Sequence, residues 1–244
     1  MSRTRFTLVR GAGSLLALAF ATQACLGGSI MSPAEPTTSP ASTTLSLPAP
    51  VTTGTLSLEE ALTSRRSVRE FASQPLSWAQ IGQLLWAAQG ITDAEGRRTA
   101  PSAGATYPLD LYAVTADATW LYVPAQHALA SVQDRDLRPE LRAAALDQAA
   151  VGTAPLVVVI VGVPARTAER YGEERAIRYV QLEAGHAAQN LLLEAVALGL
   201  AAVPMGAFDD AQLGSVLDLP AGHTPLYLIP VGHAPDAVAS AAPR

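Results

Sequence analysis

The chain carries, close to the predicted start of its folded part, the stretch Arg65-Arg66-Ser67-Val68-Arg69-Glu70-Phe71. Residues 57–63 before it have the pattern of a short amphipathic helix, with Ser57 as the N-cap and Glu60 three residues later. Three guanidinium groups and one hydroxyl therefore leave the end of one helix together. Such a cluster can bind a phosphate through several charge-assisted hydrogen bonds. Alternatively, it can complement the helix dipole and point into water.

The composition is that of a globular protein without a nucleic-acid partner. The 244 residues are 49% hydrophobic and 15% charged, with a formal net charge of -5. This predicts one domain with a sizeable core. Because phosphate backbones attract basic proteins, the net charge argues against binding to nucleic acid. A local group of cations in an acidic protein is better suited to a small anion.

Several chemistries are excluded by residues that the chain lacks. All 16 basic residues are arginine, so there is no lysine for a P-loop or for Schiff-base catalysis. The single cysteine, Cys25, lies in a predicted signal, which leaves no thiol or disulfide in the folded part. The histidines His127, His186, His223 and His233 have no metal-ligand spacing. No metal site is therefore predicted.

The N-terminal segment has the pattern of an export signal. Residues 1–10 contain three arginines and no acidic residue, and the apolar run of residues 11–21 is too short to span a membrane. The sequence Thr22-Gln23-Ala24-Cys25 resembles a bacterial lipoprotein signal, and cleavage after Ala24 without lipidation is the alternative. We therefore expect an exported protein, periplasmic or attached to the cell envelope. Its contact with the membrane would be through a lipid on Cys25.

The remaining chain divides into a linker, a domain and a tail. Residues 26–56 are rich in Ser, Thr and Pro and predict a flexible linker, residues 57–236 form the folded domain, and residues 237–244 are a tail. Hydrophobic periodicity predicts helices over residues 77–89, 137–149, 174–198 and 210–217, and strands over residues 109–115, 119–123, 156–161, 201–204 and 226–231. Helices and strands that interleave without a strict βαβ rhythm indicate a layered α+β domain.

Residues 101–108 form a second unusual stretch, Pro-Ser-Ala-Gly-Ala-Thr-Tyr-Pro. Small side chains between two prolines cannot form a regular element, and they leave backbone amides open to a ligand.

Four stretches together resemble the nitroreductase superfamily, and most closely its SagB-type dehydrogenase branch. They are residues 65–71, residues 101–108, Glu183-Ala184-Gly185-His186 with Gln189-Asn190, and Pro204-Met205-Gly206-Ala207-Phe208-Asp209. The resemblance implies a nitroreductase-like α+β fold, with a central, mostly antiparallel sheet flanked by helices. It also implies an FMN-dependent oxidoreductase, commonly a homodimer with each flavin at the subunit interface. Such an enzyme would act by ping-pong hydride transfer through flavin N5 on a small-molecule or peptide substrate.

The resemblance also assigns flavin contacts by position. The residues are Arg65, Arg66, Ser67, Arg69, Pro101, Ser102, Ala103, Gly104, Met205, Gly206, Ala207 and His233. Arg65, Arg66 and Ser67 would hold the phosphate and ribityl chain. Arg69 would lie near flavin N1, where a cation stabilises the negative charge of the reduced ring. The loop of residues 101–104 would come from the partner subunit, and residues 206 and 207 would present backbone amides to N5.

Two positions depart from the family pattern. His233 follows the last strand where relatives commonly carry Arg or Lys, and histidine is charged only part of the time near neutrality. Arg178-Tyr179 stands where azoline oxidases carry a Lys-Tyr pair, and arginine is a poor proton donor. Tyr179 is a candidate proton donor, or its ring simply packs. Azoline oxidation of modified peptides and a non-catalytic envelope binding module are the alternatives to the main interpretation.

Overall fold

The computed structural model describes residues 43–235. The predicted signal, the lipidation site at Cys25, the first part of the linker and the tail lie outside these residues. Among the residues described, no helix is both long enough and apolar enough to cross a membrane.

A seven-stranded sheet forms the centre of the molecule. Its strands are β1 (Thr44–Ser46), β2 (Leu109–Val114), β3 (Thr119–Val123), β4 (Ala128–Gln133), β5 (Leu156–Gly162), β6 (Ala201–Ala202) and β7 (Thr224–Gly232). They lie in the order β1-β4-β3-β2-β5-β7-β6, and every neighbouring pair is antiparallel. The predicted α+β fold with a mostly antiparallel central sheet is confirmed.

Helices cover both faces of the sheet. They are α1 (Leu58–Ser64), α2 (Trp78–Gln89), α3 (Arg138–Ala144), α4 (Ala149–Thr153), α5 (Ala165–Tyr171), α6 (Glu173–Ala197) and α7 (Asp210–Val216). Strand β5 is buried along its whole length, and its side chains alternate between two cores. Leu156, Val158 and Ile160 pack with α2 and α6, whereas the valines between them pack with α3, α4 and α7. A continuous apolar run therefore forms a strand buried on both faces, as predicted.

The predicted helix ends are confirmed where capping residues mark them. Ser57 and Ser77 each accept a hydrogen bond from the backbone N–H three residues later, which completes a capping box at α1 and at α2. Helix α2 ends before Gly90, and Gly199 adopts φ 67° just after α6.

Three sequence-based expectations need correction. The linker was expected to reach residue 56, but Thr44–Ser46 pairs with β4 and Leu47 is buried, because a three-residue edge strand leaves almost no periodic signal. The helix expected over residues 137–149 is interrupted where Leu146 and Asp147 adopt positive φ, which separates α3 from α4. Strand β4 and helix α5 were not predicted.

Candidate active site

The arginine-rich segment lies against the edge of the sheet. Ser67 forms a parallel bridge with Ala202 of β6, and the Val68 backbone N–H donates to the Ala202 carbonyl at 3.1 Å. The Ala72 backbone N–H donates to the His233 carbonyl at 2.8 Å. The segment thus extends the sheet beyond β6 and brings residues 65–69 close to the residue that follows β7.

The three guanidinium groups have different surroundings. Arg66 Nη1 donates to the carbonyl oxygens of Thr63 and Arg65, each at 2.8 Å, so it complements the C-terminus of α1. Arg65 is half-buried and Arg69 is exposed. Within residues 43–235, the guanidinium groups of these two arginines make no ion pair and donate no hydrogen bond. Two cations at the sheet edge are therefore available to an external anion.

Residues 205–207 present free backbone donors on the same edge. Met205 exchanges two backbone hydrogen bonds with Leu228 of β7, at 2.8 and 3.0 Å. Gly206 and Ala207 are exposed, and in the described part of the chain their N–H groups donate to no other residue. At about 3.3 Å per residue, Gly206 lies roughly 13 Å along the edge from Ala202. A ligand lying along this edge could therefore reach both the arginines and these amides.

His233 contributes an unsatisfied ring nitrogen at this edge. Its Nε2 atom is buried and has no hydrogen-bond partner among the described residues. A buried polar atom without a partner is costly, and such atoms often mark the place of a ligand. Free cations, an unsatisfied ring nitrogen and free amides together fit an elongated molecule with an anionic end, such as FMN.

The loop of residues 101–107 has an unusual backbone. Gly104, Ala105 and Tyr107 have φ angles of 62°, 54° and 45°. A Cβ atom at Gly104 would lie 2.7 Å from the Tyr171 hydroxyl, so that side chain would have to move, and the positive φ itself favours glycine at this position. Non-glycine residues in this conformation cost free energy, and they persist where surrounding contacts fix them.

Within one chain, the structure does not bring this loop to the arginine-rich segment. The loop leads into Leu109, which pairs with Gly162, and Gly162 pairs with Thr224 at the start of β7. His233 follows the other end of β7. The nine residues of β7 separate the two regions by about 25–30 Å. The candidate Tyr179 lies against α5 near the loop, with its ring edge-on to Tyr171 at 5.0 Å.

A buried polar network that the sequence-based analysis missed supports the loop. Arg98 Nη1 donates to Gln89 Oε1 at 2.8 Å, and Gln89 Nε2 donates to Glu183 Oε1 at 3.3 Å. Burial lowers the pKa of Arg98 and raises the pKa of Glu183. The sequence-based analysis assigned no role to Arg98. The signal that could have drawn attention to this network is Gln89, a polar side chain that ends an otherwise apolar helix face.

The comparisons with known proteins agree with this architecture. The model of the Nitroreductase family matches residues 62–233. A protein of Methanocaldococcus jannaschii that is described as a nitroreductase is 42% identical over 183 residues, which cover 72% of this chain and 91% of that protein. A protein of Ralstonia eutropha that is described as a nitroreductase, and whose crystal structure is known, is 31% identical, with a TM-score of 0.72, over 79% of this chain and 90% of that one.

A more distant structure shares the fold. The NADPH:FMN oxidoreductase of Vibrio harveyi, solved with NAD⁺, is 23% identical over 72% of this chain and 68% of that one, with a TM-score of 0.56. Because the family model covers most of the chain, and the sheet and helices have the expected arrangement, this chain belongs to the nitroreductase family of oxidoreductases.

Proposed function

We propose that this protein is an FMN-dependent oxidoreductase with ping-pong kinetics. The observation that carries the proposal is a set of groups along the β6 edge that have no partner among the described residues: the guanidinium groups of Arg65 and Arg69, Nε2 of His233, and the amides of residues 206 and 207. When bound, FMN would supply hydride acceptance and donation at N5. The protein would bind, orient and electrostatically tune that cofactor.

The chain's own groups have distinct roles in this proposal. Arg65, with the Ser67 hydroxyl and His233 Nε2, would hold the phosphate. Arg69 would place a fixed cation where reduction adds negative charge, which favours the reduced form. The two free amides at Gly206 and Ala207 would orient the reactive edge of the ring by hydrogen bonding. Because Arg66 already donates to its own helix, it would contribute to phosphate binding through charge more than through direct hydrogen bonds.

A homodimer would complete the site. The loop of residues 101–104 and the arginine-rich segment lie at opposite ends of β7, so one chain alone cannot apply both to one flavin. A second copy, placed with its loop at the first copy's β6 edge, would bring the two regions together. This arrangement agrees with the interface location that the family resemblance implies.

The proposal also covers the substrate class and the branch of the family. We propose a small-molecule or peptide substrate and membership of the SagB-type branch, on the strength of the four matching stretches. Azoline oxidation has less support, because Arg178 is exposed and the ring of Tyr179 packs on Tyr171. NAD(P)H is scarce outside the cytoplasm, so an exported enzyme would use another electron donor.

The export proposal rests on residues 1–25 and has its own test. Expression of the full chain in a bacterial host, followed by fractionation and intact-mass measurement, would locate the protein and define its first residue. A lipid mass on Cys25 supports envelope attachment, a chain that begins at Cys25 without lipid supports simple cleavage, and an uncleaved cytoplasmic protein contradicts export.

The cofactor test is a spectrum. The purified full chain should absorb in the visible region as a flavoprotein, or bind added FMN stoichiometrically in a titration. Initial rates with NADH, NADPH and reduced quinones, each against several acceptors, should give the parallel double-reciprocal lines of a ping-pong mechanism. A colourless protein that binds no added FMN would instead support the non-catalytic binding module.

A further inference from the structure

A buried amide joins two opposite charges beneath the loop of residues 101–107. Arg98 donates to Gln89, and Gln89 donates to Glu183, at 2.8 and 3.3 Å. Gln89 is 0% exposed and Glu183 is 3% exposed, so this connection is closed to solvent. The cation precedes the loop, the amide ends α2, and the carboxylate lies on α6.

The same contacts continue into the loop. The Arg98 guanidinium lies over the ring of Tyr107, 4.4 Å from its centroid. The Tyr107 backbone N–H in turn donates to Ser102 Oγ at 2.9 Å. The two ends of the loop are therefore joined to each other, and the Tyr107 end contacts Arg98 of the buried network.

The root of the loop is fixed separately. Asn190 Nδ2 on α6 donates to the Thr99 carbonyl at 3.2 Å, and the Thr99 hydroxyl donates to the Trp86 carbonyl on α2 at 3.0 Å. The residues that follow have three positive φ angles. Such backbone is unfavourable on its own and persists where surrounding contacts fix it. Those contacts are the network on one side and, on the α5 side, the bond from Arg170 Nη1 to the Gly104 carbonyl and the bond between the Thr106 and Thr167 hydroxyls.

A buried charge pair of this kind is weak support for stability alone. Burial raises the pKa of Glu183 and lowers that of Arg98, since each charge gives up solvation. Such pairs are often no more stabilising than apolar residues of the same size, yet the loss of one partner leaves the other buried and uncompensated. The network is therefore better suited to positioning the loop than to stabilising the domain.

We propose that Glu183 is a positioning residue which, through Gln89 and Arg98, holds the loop of residues 101–107 in the conformation that receives the flavin ring. The identity of the ligand rests on the proposed function. The holding of the loop does not, since it can be measured without any cofactor.

The chain provides a matched control on the same pair of helices. Glu194 is also a partly buried carboxyl of α6 whose pKa is raised by burial, and it lines one pocket with a glutamine of α2, Gln83. It lies near residues 49–56, away from the loop. E183A and E194A therefore remove the same chemistry from the same interface at two different places.

The experiment compares amide hydrogen exchange in the flavin-free full chain with FMN affinity and steady-state kinetics. In E183A we expect exchange of the residue 102–107 amides to rise roughly tenfold or more, and FMN affinity to fall by a similar factor. In E194A, the exchange of these amides and the FMN affinity should both stay within about twofold of the wild-type values. E183Q, which keeps an oxygen acceptor, should lie between wild type and E183A.

A second variant keeps the test decisive if E183A does not fold. S102A removes one hydroxyl from a half-buried loop position, and it should raise exchange at the Tyr107 amide selectively. Unchanged loop exchange in S102A, or exchange that rises equally across the whole domain in E183A, would overturn the proposal. Raised loop exchange with unchanged FMN affinity would overturn its flavin-receiving part. If the wild type binds no FMN, the proposed function fails, while the exchange data still decide whether the network holds the loop.

Discussion

The β6 edge and the loop of residues 101–107 contrast in how far the protein satisfies its own polar groups. At the edge, the guanidinium groups of Arg65 and Arg69 and the amides of residues 206 and 207 have no hydrogen-bond partner within residues 43–235. In the loop, the Tyr107 N–H donates to Ser102, and Arg98, Gln89 and Glu183 are linked by two hydrogen bonds, which leave Nε of Arg98 as the only buried side-chain atom without a partner in this described group. Unsatisfied groups on a folded surface are available to an external ligand, whereas satisfied groups fix a shape. The comparison teaches that the two halves of the proposed site would act differently: the edge would bind the ligand by charge, and the loop would contribute a preformed shape.

The largest expected effect is at the charged half. R65A/R69A should weaken FMN binding roughly 30-fold or more, because each charge-assisted hydrogen bond contributes about 1.5 to 3 kcal/mol before solvent screening reduces it. Fluorescence titration with FMN measures the change. The control R97A/R135A removes two exposed arginines that already pair with acidic neighbours and should bind FMN normally. If the two double variants bind FMN with equal affinity, Arg65 and Arg69 do not belong to the FMN site.

A pair of glycine variants separates shape from binding. G104A should lower the free energy of unfolding by about 1 to 3 kcal/mol in the flavin-free protein, because positive φ and contact with Tyr171 both oppose a Cβ atom. Among the described residues, a Cβ atom at Gly206 would have no atom within 4 Å. The free energy of unfolding of G206A should therefore stay within about 0.5 kcal/mol of the wild-type value, whereas its FMN affinity should fall. Urea denaturation and FMN titration of both variants check this contrast. If G206A is as destabilised as G104A, the two glycines do not differ in the way proposed.

The two histidines that flank β7 give a smaller effect. Each has a ring nitrogen that is buried and unsatisfied in the described residues, Nε2 in His233 and Nδ1 in His223. Since only His233 lies beside the arginine-rich segment, H233A should weaken FMN binding by roughly 3- to 10-fold, the value of about one hydrogen bond. H223A should change FMN binding by less than about twofold. Isothermal titration with both variants distinguishes them, and a larger loss in H223A would place the phosphate elsewhere.

The smallest expected effect is in the pH dependence of stability. Burial raises the pKa of Glu183 and of Glu194 above the ordinary 4.5, so the folded state binds more protons than the unfolded state just above that pH. Their contribution to the free energy of unfolding therefore falls as pH rises above about 4.5. Between pH 4.5 and neutrality, the free energy of unfolding measured by urea denaturation should fall less with rising pH in E183Q/E194Q than in the wild type. A steeper decline in the double variant would contradict these raised pKa values.

Local signals predicted much of the fold, and their limits are visible in particular residues. Capping serines and the apolar run of β5 gave helix starts and a doubly buried strand, because each depends on residues adjacent in sequence. Strand β1 was missed because it exists only through its pairing with β4. The network was missed for a related reason, since Gln89 bonds to Glu183, which lies 94 residues away in the chain.

The sequence by itself indicated the family, through four matching stretches, as well as most of the helices and strands and the residues that could bind an anion, because these depend on residue chemistry and short-range patterns. Only the tertiary structure decided which of those residues lack an internal partner. Within residues 43–235 it showed Arg66 bonded to its own helix, Arg65 and Arg69 unpaired, and the loop of residues 101–107 at the far end of β7. The physical reason is that a side chain's availability depends on partners that folding brings from distant parts of the chain.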